Sequence, residues 1–443
     1  MKVMQFKFRL LNVLLAGFLF TSFSPAVLSQ VLLPADAVNL ALENNYAIRI
    51  ARLDQEILKN NLTPGNAGFL PAADLSAGQN NSITNARQEY LTGQINERDN
   101  AKSNSLSAGA SLNWTLFDGM RMFNAYALLR QQLNAGELRT RLQIENTIAS
   151  VLGSYYNIVQ LRQRMAVFVK AVTLGEERVE IAREMLLLGS GSRLDLLQAE
   201  VDLNTDRSQL LEFQEMITGA SITLNQLMAR DAALTFSVED TITIMPVLDY
   251  NALESAMLRS NPQLLLSQLD IDMANRTLRD IRGRRAPVIG MNLGYSFNNQ
   301  NSESGFLKTS RTSGVNYGIT ANMSIFDGFN LNRQAQNARI GMESAALQQQ
   351  AYTEQLKAEL LSSYKTYSSK LQMVALERQN LETANINFEI AGERFRLGEL
   401  SGIEYREAQK NLLAANERLI SAVYEVRLLE ISLMQLSGTI LPE

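Results

Sequence analysis

The run Trp114-Thr115-Leu116-Phe117-Asp118-Gly119 returns 209 residues later as Met323-Ser324-Ile325-Phe326-Asp327-Gly328. In both copies an alternating apolar–polar segment ends at Asp-Gly, a turn signal, and a long proline-free stretch follows. The same offset carries Leu188-Gly189 onto Leu397-Gly398, Ser192 onto Ser401, Asp195 onto Glu404 and Ala199 onto Ala408. Upstream the offset becomes 216, carrying Asn45 onto Asn261, Leu53 onto Leu269 and Pro71 onto Pro287. The seven-residue change falls in a polar loop, where chain length varies freely. The chain is one pattern written twice.

Downstream of each Asp-Gly, residues 120–188 and 329–397 run without a strong helix breaker, and no proline stands between Pro71 and Pro246 or between Pro287 and Pro442. As helices they would each be about 100 Å long, at about 1.5 Å per residue. Ile144, Val151, Ile158, Met165, Val172, Val179 and Leu186 are spaced by seven, as are Leu360, Tyr367, Val374, Leu381, Phe388 and Phe395, the images of Val151 through Leu186. The returning helices repeat it, with Leu196, Leu203, Leu210, Ile217 and Leu224 imaged by Tyr405, Leu412, Leu419, Val426 and Leu433. A strict period of seven specifies left-handed coiled-coil packing. The helices alone favour a structural or adhesive coiled-coil stalk of the cell envelope, and it is the strands that reverse this.

Upstream of the junctions the period is two. Leu106, Ala108, Ala110, Leu112, Trp114 and Leu116 oppose Ser107, Gly109, Ser111, Asn113 and Thr115. Val315, Tyr317, Ile319, Ala321, Met323 and Ile325 oppose Asn316, Gly318, Thr320, Asn322 and Ser324. After Pro287, Ile289, Met291, Leu293, Tyr295 and Phe297 oppose Gly290, Asn292, Gly294, Ser296 and Asn298. A first strand at about 72–79 fits least well. One apolar face and one of small uncharged residues suit lipid on one side and a water-filled lumen on the other. Residues 80–103 and 299–313 are polar and read as exposed loops. A single helix of moderate length precedes each strand pair, at about 35–62 and 249–280. The expected organisation is a first repeat at 30–230, a linker at 231–248, a second repeat at 249–437 and an irregular tail at 438–443.

Composition excludes most chemistry. There is no Cys and no His, which removes disulfides, thiol nucleophiles, His-based triads and nearly every zinc site. The 45 acidic residues form no local constellation tied to a cleft, so no catalysis, metal or cofactor is expected. A net charge of −4 implies no nucleic-acid partner. Lys2, Lys7 and Arg9, then an apolar stretch at 10–20 and small residues up to Ser29, read as a signal peptide at 1–29. With no Cys, no lipid anchor on an N-terminal Cys is expected. No later stretch offers 18 consecutive apolar residues, so the mature chain is expected to cross a membrane as strands or not at all.

Four strands cannot close a barrel, and an open sheet in lipid leaves edge N–H and C=O groups unpaired at several kcal/mol each. The chain must share its barrel with copies of itself. Three copies supply twelve strands; two or four satisfy the same argument.

The ordering, the repeat offset and Phe-Asp-Gly at both strand-to-helix junctions resemble the TolC family of outer-membrane efflux and secretion channels. The resemblance covers essentially the whole mature chain. It implies a mainly α fold with membrane β: a homotrimer whose 12-stranded β-barrel is continued by a 12-helix coiled-coil α-barrel across the periplasm of a Gram-negative cell. It implies a passive duct of a tripartite efflux pump or type I secretion system. Its partners would be outer-membrane lipid, a periplasmic adaptor and an inner-membrane transporter.

The two hairpin tips fall at 188–195 and 397–404. Gly189 and Gly398 after Leu188 and Leu397 read as helix stops. Ser192 with Asp195, and Ser401 with Glu404, read as capping boxes. By resemblance these tips also dock the adaptor, and Asp195, Glu404 and Glu407 stand at the periplasmic entrance. Glu404 and Glu407 share a helix face. Threefold symmetry would make a ring of six carboxylates that attracts cations and raises some of their pKa values. Some relatives lock the entrance with a Tyr and an Arg; the matching positions here are Phe395 and Leu400, which cannot make those hydrogen bonds and leave Asp195 without its Tyr.

Overall fold

The computed structural model describes residues 31–441; the expected signal peptide and the last two residues of the tail lie outside them. Strand β1 (Val31–Leu32) is followed by helices α1 (Pro34–Asn44) and α2 (Tyr46–Asn61). Strands β2 (Ala72–Glu89) and β3 (Ile95–Phe117) then lead into α3 (Arg121–Leu187) and α4 (Arg193–Leu227). After β4 (Ser237–Val238) the order repeats: α5 (Tyr250–Ser260), α6 (Pro262–Gly283), β5 (Val288–Ser302), β6 (Thr309–Asn322), α7 (Asn330–Arg396) and α8 (Gly402–Ser437). Both long helices have 67 residues, about 100 Å. Each packs on a shorter partner at either end, α3 on α2 and α4, α7 on α6 and α8. Among the described residues no helix is long and apolar enough to cross a membrane.

The two halves agree down to single hydrogen bonds. The expected helices at 35–62 and 249–280 are each split, at Asn45 and Asn261. The reason is the Asn side chain. Asn45 Oδ1 accepts the Ala47 and Ile48 amides at 2.9 and 3.3 Å, and Asn261 Oδ1 accepts that of Leu264 at 3.0 Å. Such a side-chain cap starts a new helix at an extended residue. The amide of each Asn donates to the end of a hairpin, Leu227 O at 2.8 Å and Leu436 O at 3.0 Å. Tyr155 and Tyr364, also 209 apart, donate to Leu32 O at 2.8 Å and Leu248 O at 3.1 Å. Tyr155 is fully enclosed in the core formed by α1, α3, α4 and α8, and burial pushes its phenol up to about 12. The linker adds β4 to β1 as a parallel pair.

The four long strands form one antiparallel sheet, β2-β3-β5-β6. Its register aligns the faces read from the sequence. Ala73, Leu112, Leu293 and Tyr317 lie in one cross-strand row, and Leu75, Ala110, Tyr295 and Val315 in the next on that face. Asp74, Ser111, Gly294 and Asn316 form a row on the other. The first strand therefore obeys the pattern, with Ala73, Leu75 and Ala77 on the apolar side. At the end nearest the helices, Trp114 Nε1 donates to Phe69 O at 2.8 Å, and Phe69 meets Phe123 edge-on at 4.9 Å. Aromatic rings gather where a lipid-facing strand meets water.

Two strand expectations need correction. Most of 80–103 and part of 299–313 is strand, leaving turns of 90–94 and 303–308. Asn80 pairs with Ser105, Asn81 with Asn104 and Ser82 with Ser103. A ladder needs only main-chain groups, so the hairpins continue above the apolar band with polar side chains on both faces. Conversely β6 stops at Asn322 and leaves out 323–325. In the first half, the matching residues Trp114 and Thr115 pair with β5 and not with β2, and Leu116 sits in the bulge before Phe117. Among the described residues the second half has no strand on that side.

Each Asp-Gly junction turns the strand into the helix through two left-handed residues, Gly119 with Met120 and Gly328 with Phe329, at φ values of 77°, 68°, 69° and 64°. Asp118 Oδ1 accepts the Arg121 amide at 2.9 Å, and Asp327 Oδ2 that of Leu331 at 2.7 Å. These carboxylates cap the helices from the turn.

Candidate functional site: the hairpin tips and periplasmic entrance

At the first tip the chain closes α3 with Ser190 and Gly191 amides on Met185 O, at 3.0 and 2.9 Å, while Gly189 takes φ +76°. A Cβ on Gly191 would stand 2.9 Å from that of Met185, so the turn is closed tightly over the helix end. Ser192 Oγ accepts the Asp195 amide at 3.1 Å, and Asp195 Oδ2 accepts the Ser192 amide at 3.1 Å. The second tip repeats this with Gly398 at φ +75°, Glu404 N to Ser401 Oγ at 3.3 Å and Ser401 N to Glu404 Oε2 at 3.0 Å. Both capping boxes are therefore formed. Ser192 and Ser401, by donating a hydroxyl to these carboxylates, hold Asp195 and Glu404 below the usual carboxylate range. Glu407 lies exposed one turn further on.

The tips leave apolar groups in water. Leu188 is 83% exposed, and Leu187, Leu194, Leu397 and Ile403 are similarly open. Between the two tips runs a groove of about 540 Å³ lined by Met185, Leu188, Asp195, Phe395, Leu397 and Leu400 among others. Phe395 and Leu400 are used for packing. Phe395 stacks on Tyr405 at 4.8 Å and 10°, and Leu400 packs against that cluster.

Just above the tips lies a charged cluster that sequence reasoning missed. Arg406 of α8 grips Asp206 of α4 through two hydrogen bonds of 2.7 Å. Arg178 of α3 donates to Asp202 at 2.8 Å, and Arg406 lies 3.8 Å from Asp202. Gln409 accepts from Arg406 at 3.0 Å and reaches Ala171 O at 3.4 Å. Arg178, Asp206 and Arg406 are all buried. The paired carboxylates keep the Arg406 guanidinium above its ordinary value in spite of burial. This cluster ties the second hairpin to the first. One signal was available: Asp206 occupies the seven-spaced series Ala199, Asp206, Phe213, Ala220 and Leu227, an acid in an apolar seam.

A sheet with one apolar face, continued by helices about 100 Å long that turn back at capped, apolar tips, defines a membrane duct. The family profile described as outer membrane efflux protein matches residues 37–230 and 253–439. The chain belongs to this outer membrane efflux protein family, that of TolC. It is 23% identical over 432 residues to outer membrane efflux protein BepC of Brucella suis, covering 96% of this chain and 89% of that one. It is 21% identical over 420 residues to protein CyaE of Bordetella pertussis, covering 91% and 83%. Its fold matches the Campylobacter jejuni CmeC outer membrane channel with a TM-score of 0.75 at 19% identity, covering 92% and 86%. It matches CusC with a TM-score of 0.75 at 18% identity, covering 91% and 92%. The protein is a homotrimeric outer-membrane channel, not an enzyme. It serves tripartite efflux or type I secretion with a periplasmic adaptor and an inner-membrane transporter.

Proposed function

We propose that Leu188, Gly189 and Ser192 of the first tip, with Leu397, Gly398 and Ser401 of the second, form the surface on which the adaptor packs. We further propose that Asp195, Glu404 and Glu407 stand around the periplasmic mouth of the duct. The observation that carries the docking surface is the pair of rigidly capped turns with their leucines left in water beside an open groove. Exposed apolar groups on an ordered surface mark a partner site. For the mouth, threefold symmetry multiplies each exposed carboxylate by three around one axis. A ring of that kind concentrates cations and impedes anions. Residues 30–230 and 249–437 act as the two repeats, joined by 231–248, so each protomer offers the adaptor two similar tips.

The test is single-channel recording in planar bilayers with the Glu404→Gln, Glu407→Gln double variant. Weaker block by divalent cations and lower cation selectivity are expected. Unchanged conductance and block would remove these residues from the mouth.

A further inference from the structure

The second half carries a basic patch that the first half lacks. From 273 to 302 the chain holds five arginines, Arg276, Arg279, Arg282, Arg284 and Arg285, against one acid, Asp280. The image of that stretch, 216 residues earlier at 57–86, holds one base, Lys59, and one acid, Asp74. Ala72 pairs with Asn113; adding 216 and 209 gives Val288 and Asn322, which also pair, so the offsets are structural equivalences. The images of the five arginines are Asn60, Thr63, Asn66, Gly68 and Phe69. The first half builds the same local fold without them, so the fold itself does not call for their charge.

Three of the five are engaged within the chain. Arg284 pairs with Asp280 at 2.9 Å, Arg276 donates to Gln131 at 3.3 Å, and Arg285 donates to Asn332 at 2.7 Å. Arg279 and Arg282 are exposed and make no ion pair or side-chain hydrogen bond among the described residues. Arg339 of α7 is equally exposed and unpaired, and with Arg282 it lines a groove of about 540 Å³ between α6 and α7. Glu343, at the same groove, forms no ion pair with either among the described residues. Both α6 arginines lie within about 6 Å of the end of their helix at Gly283, at about 1.5 Å per residue. The apolar strand β5 begins five residues further on, at Val288. A headgroup layer about 5–8 Å deep borders the hydrocarbon on each side, so these side chains stand at its level. They also face outward. Leu264, near the start of α6, shares a core cluster with Leu253 and Met257 of α5. Helix α5 belongs to the short elements that clothe the long hairpins, which on the inner side would fill the duct. Arg282 follows Leu264 by 18 residues, five turns at about 3.6 residues each, and so points the same way, with Arg279 about 60° round. Helix α6 packs between α3 and α7 of its own chain, which leaves that outer face open.

We infer that Arg279, Arg282 and Arg339 form a binding surface for the phosphate headgroups of anionic phospholipids in the periplasmic leaflet of the outer membrane, one patch on each protomer. A guanidinium offers phosphate a planar fork of N–H donors and keeps its charge at any working pH. Clustered bases immediately beside a membrane-spanning segment select anionic over zwitterionic lipid. The long arginine stems lie along the protein and bring the charge up to the headgroup layer. The inference rests on the apolar face of the sheet being in lipid.

The chain has a single tryptophan, Trp114, on the apolar face of the sheet at its helix end, paired with Met291 of β5. It reports on lipid beside the patch. The full-length channel is reconstituted in phosphatidylcholine, and quenching of Trp114 is followed as brominated phosphatidylglycerol or brominated phosphatidylcholine replaces that lipid. Brominated phosphatidylglycerol is expected to bind about fivefold better, the contribution of one arginine beside an anionic surface. The preference is expected to shrink at about 0.5 M salt and to survive excess inorganic phosphate. Arg279→Gln, Arg282→Gln, Arg339→Gln together are expected to abolish it. Lys170→Gln, Arg193→Gln, Arg378→Gln remove the same charge from exposed positions far down the hairpins and are expected to leave it intact. Should the first triple variant fail to assemble, the salt response of the unmodified channel decides. Equal binding of the two lipids to the unmodified channel overturns the inference, as does a preference that salt or the first triple variant leaves unchanged, or that both triple variants lose alike. Loss of the preference to inorganic phosphate would assign the patch to the free anion and overturn the lipid assignment. Quenching by neither lipid would instead overturn the placement of the apolar face in lipid.

Discussion

Replacing Arg406 by Met tests whether the buried charge cluster ties the two hairpins of a protomer together. The Arg406 and Asp206 side chains are 8% and 4% exposed. Asp206 receives both of its 2.7 Å hydrogen bonds from that one guanidinium. Arg406→Met therefore leaves a buried carboxylate with neither oxygen paired. Removing one member of such a pair costs about 3–5 kcal/mol. The cost falls on the contact of α8 with α3 and α4 and spares the strands. The Arg178–Asp202 pair stays intact and limits the damage to that joint. At about 1.4 kcal/mol per tenfold, hydrogen exchange through local opening of the 402–412 segment should speed up by roughly 10² to 10³·⁵. Adding Asp206→Leu removes the stranded charge and should recover most of that protection, because apolar replacement of both partners is near neutral. Exchange in Arg406→Met equal to the unmodified channel would refute the reasoning. So would a double variant no better protected than the single one, since the penalty would then not come from an orphaned carboxylate.

The caps carry a pH prediction. Asp195 and Glu404 have folded pKa values below their unfolded ones near 3.9 and 4.3, so each contributes stability above those values and loses it as pH falls through the folded value. Exchange of the tip amides, corrected for intrinsic rate, should stay flat from pH 7 to 5 and rise only below about 4; a rise near pH 6 would contradict it. Ser401→Ala should loosen the second tip by about 1 kcal/mol, read the same way, and leave the first tip unchanged. Gly119→Ala should lower the yield of assembled trimer sharply, because its Cβ would stand 2.2 Å from Gly283 O at φ +77°. Gly93→Ala, also at positive φ but with nothing within 4 Å, should assemble much better; equal yields would show that the Gly119–Gly283 approach is unimportant.

The long helices, the tips and the faces of the strands were legible because they depend on local periods. Seven-residue spacing puts apolar groups on one helix stripe, and alternation puts them on one strand face, wherever the chain later lies. Residues 120–188 and 329–397 were placed within a residue of α3 and α7 at either end. Ser192 with Asp195 and Ser401 with Glu404 close within four residues, so the caps were readable too. The entry helices were not. Asn45 and Asn261 break them by capping the amides two or three residues on, and each Asn is held there by donating to Leu227 O or Leu436 O, 182 and 175 residues away. Strand length was also hidden above the apolar band, where the ladder is held by main-chain bonds that leave no mark on side-chain polarity.

From sequence alone came the repeat, the two periods and the requirement for more than one chain, because unpaired edges in lipid are too costly to leave open. Only the tertiary structure decided which charges are joined. Arg406 and Asp206 lie 200 residues apart and meet because α8 packs against the first hairpin just above the tips. Nothing in local spacing encodes that meeting. It follows from two coiled coils packing side by side, which buries one acid in a seam and brings Arg406 into reach of it.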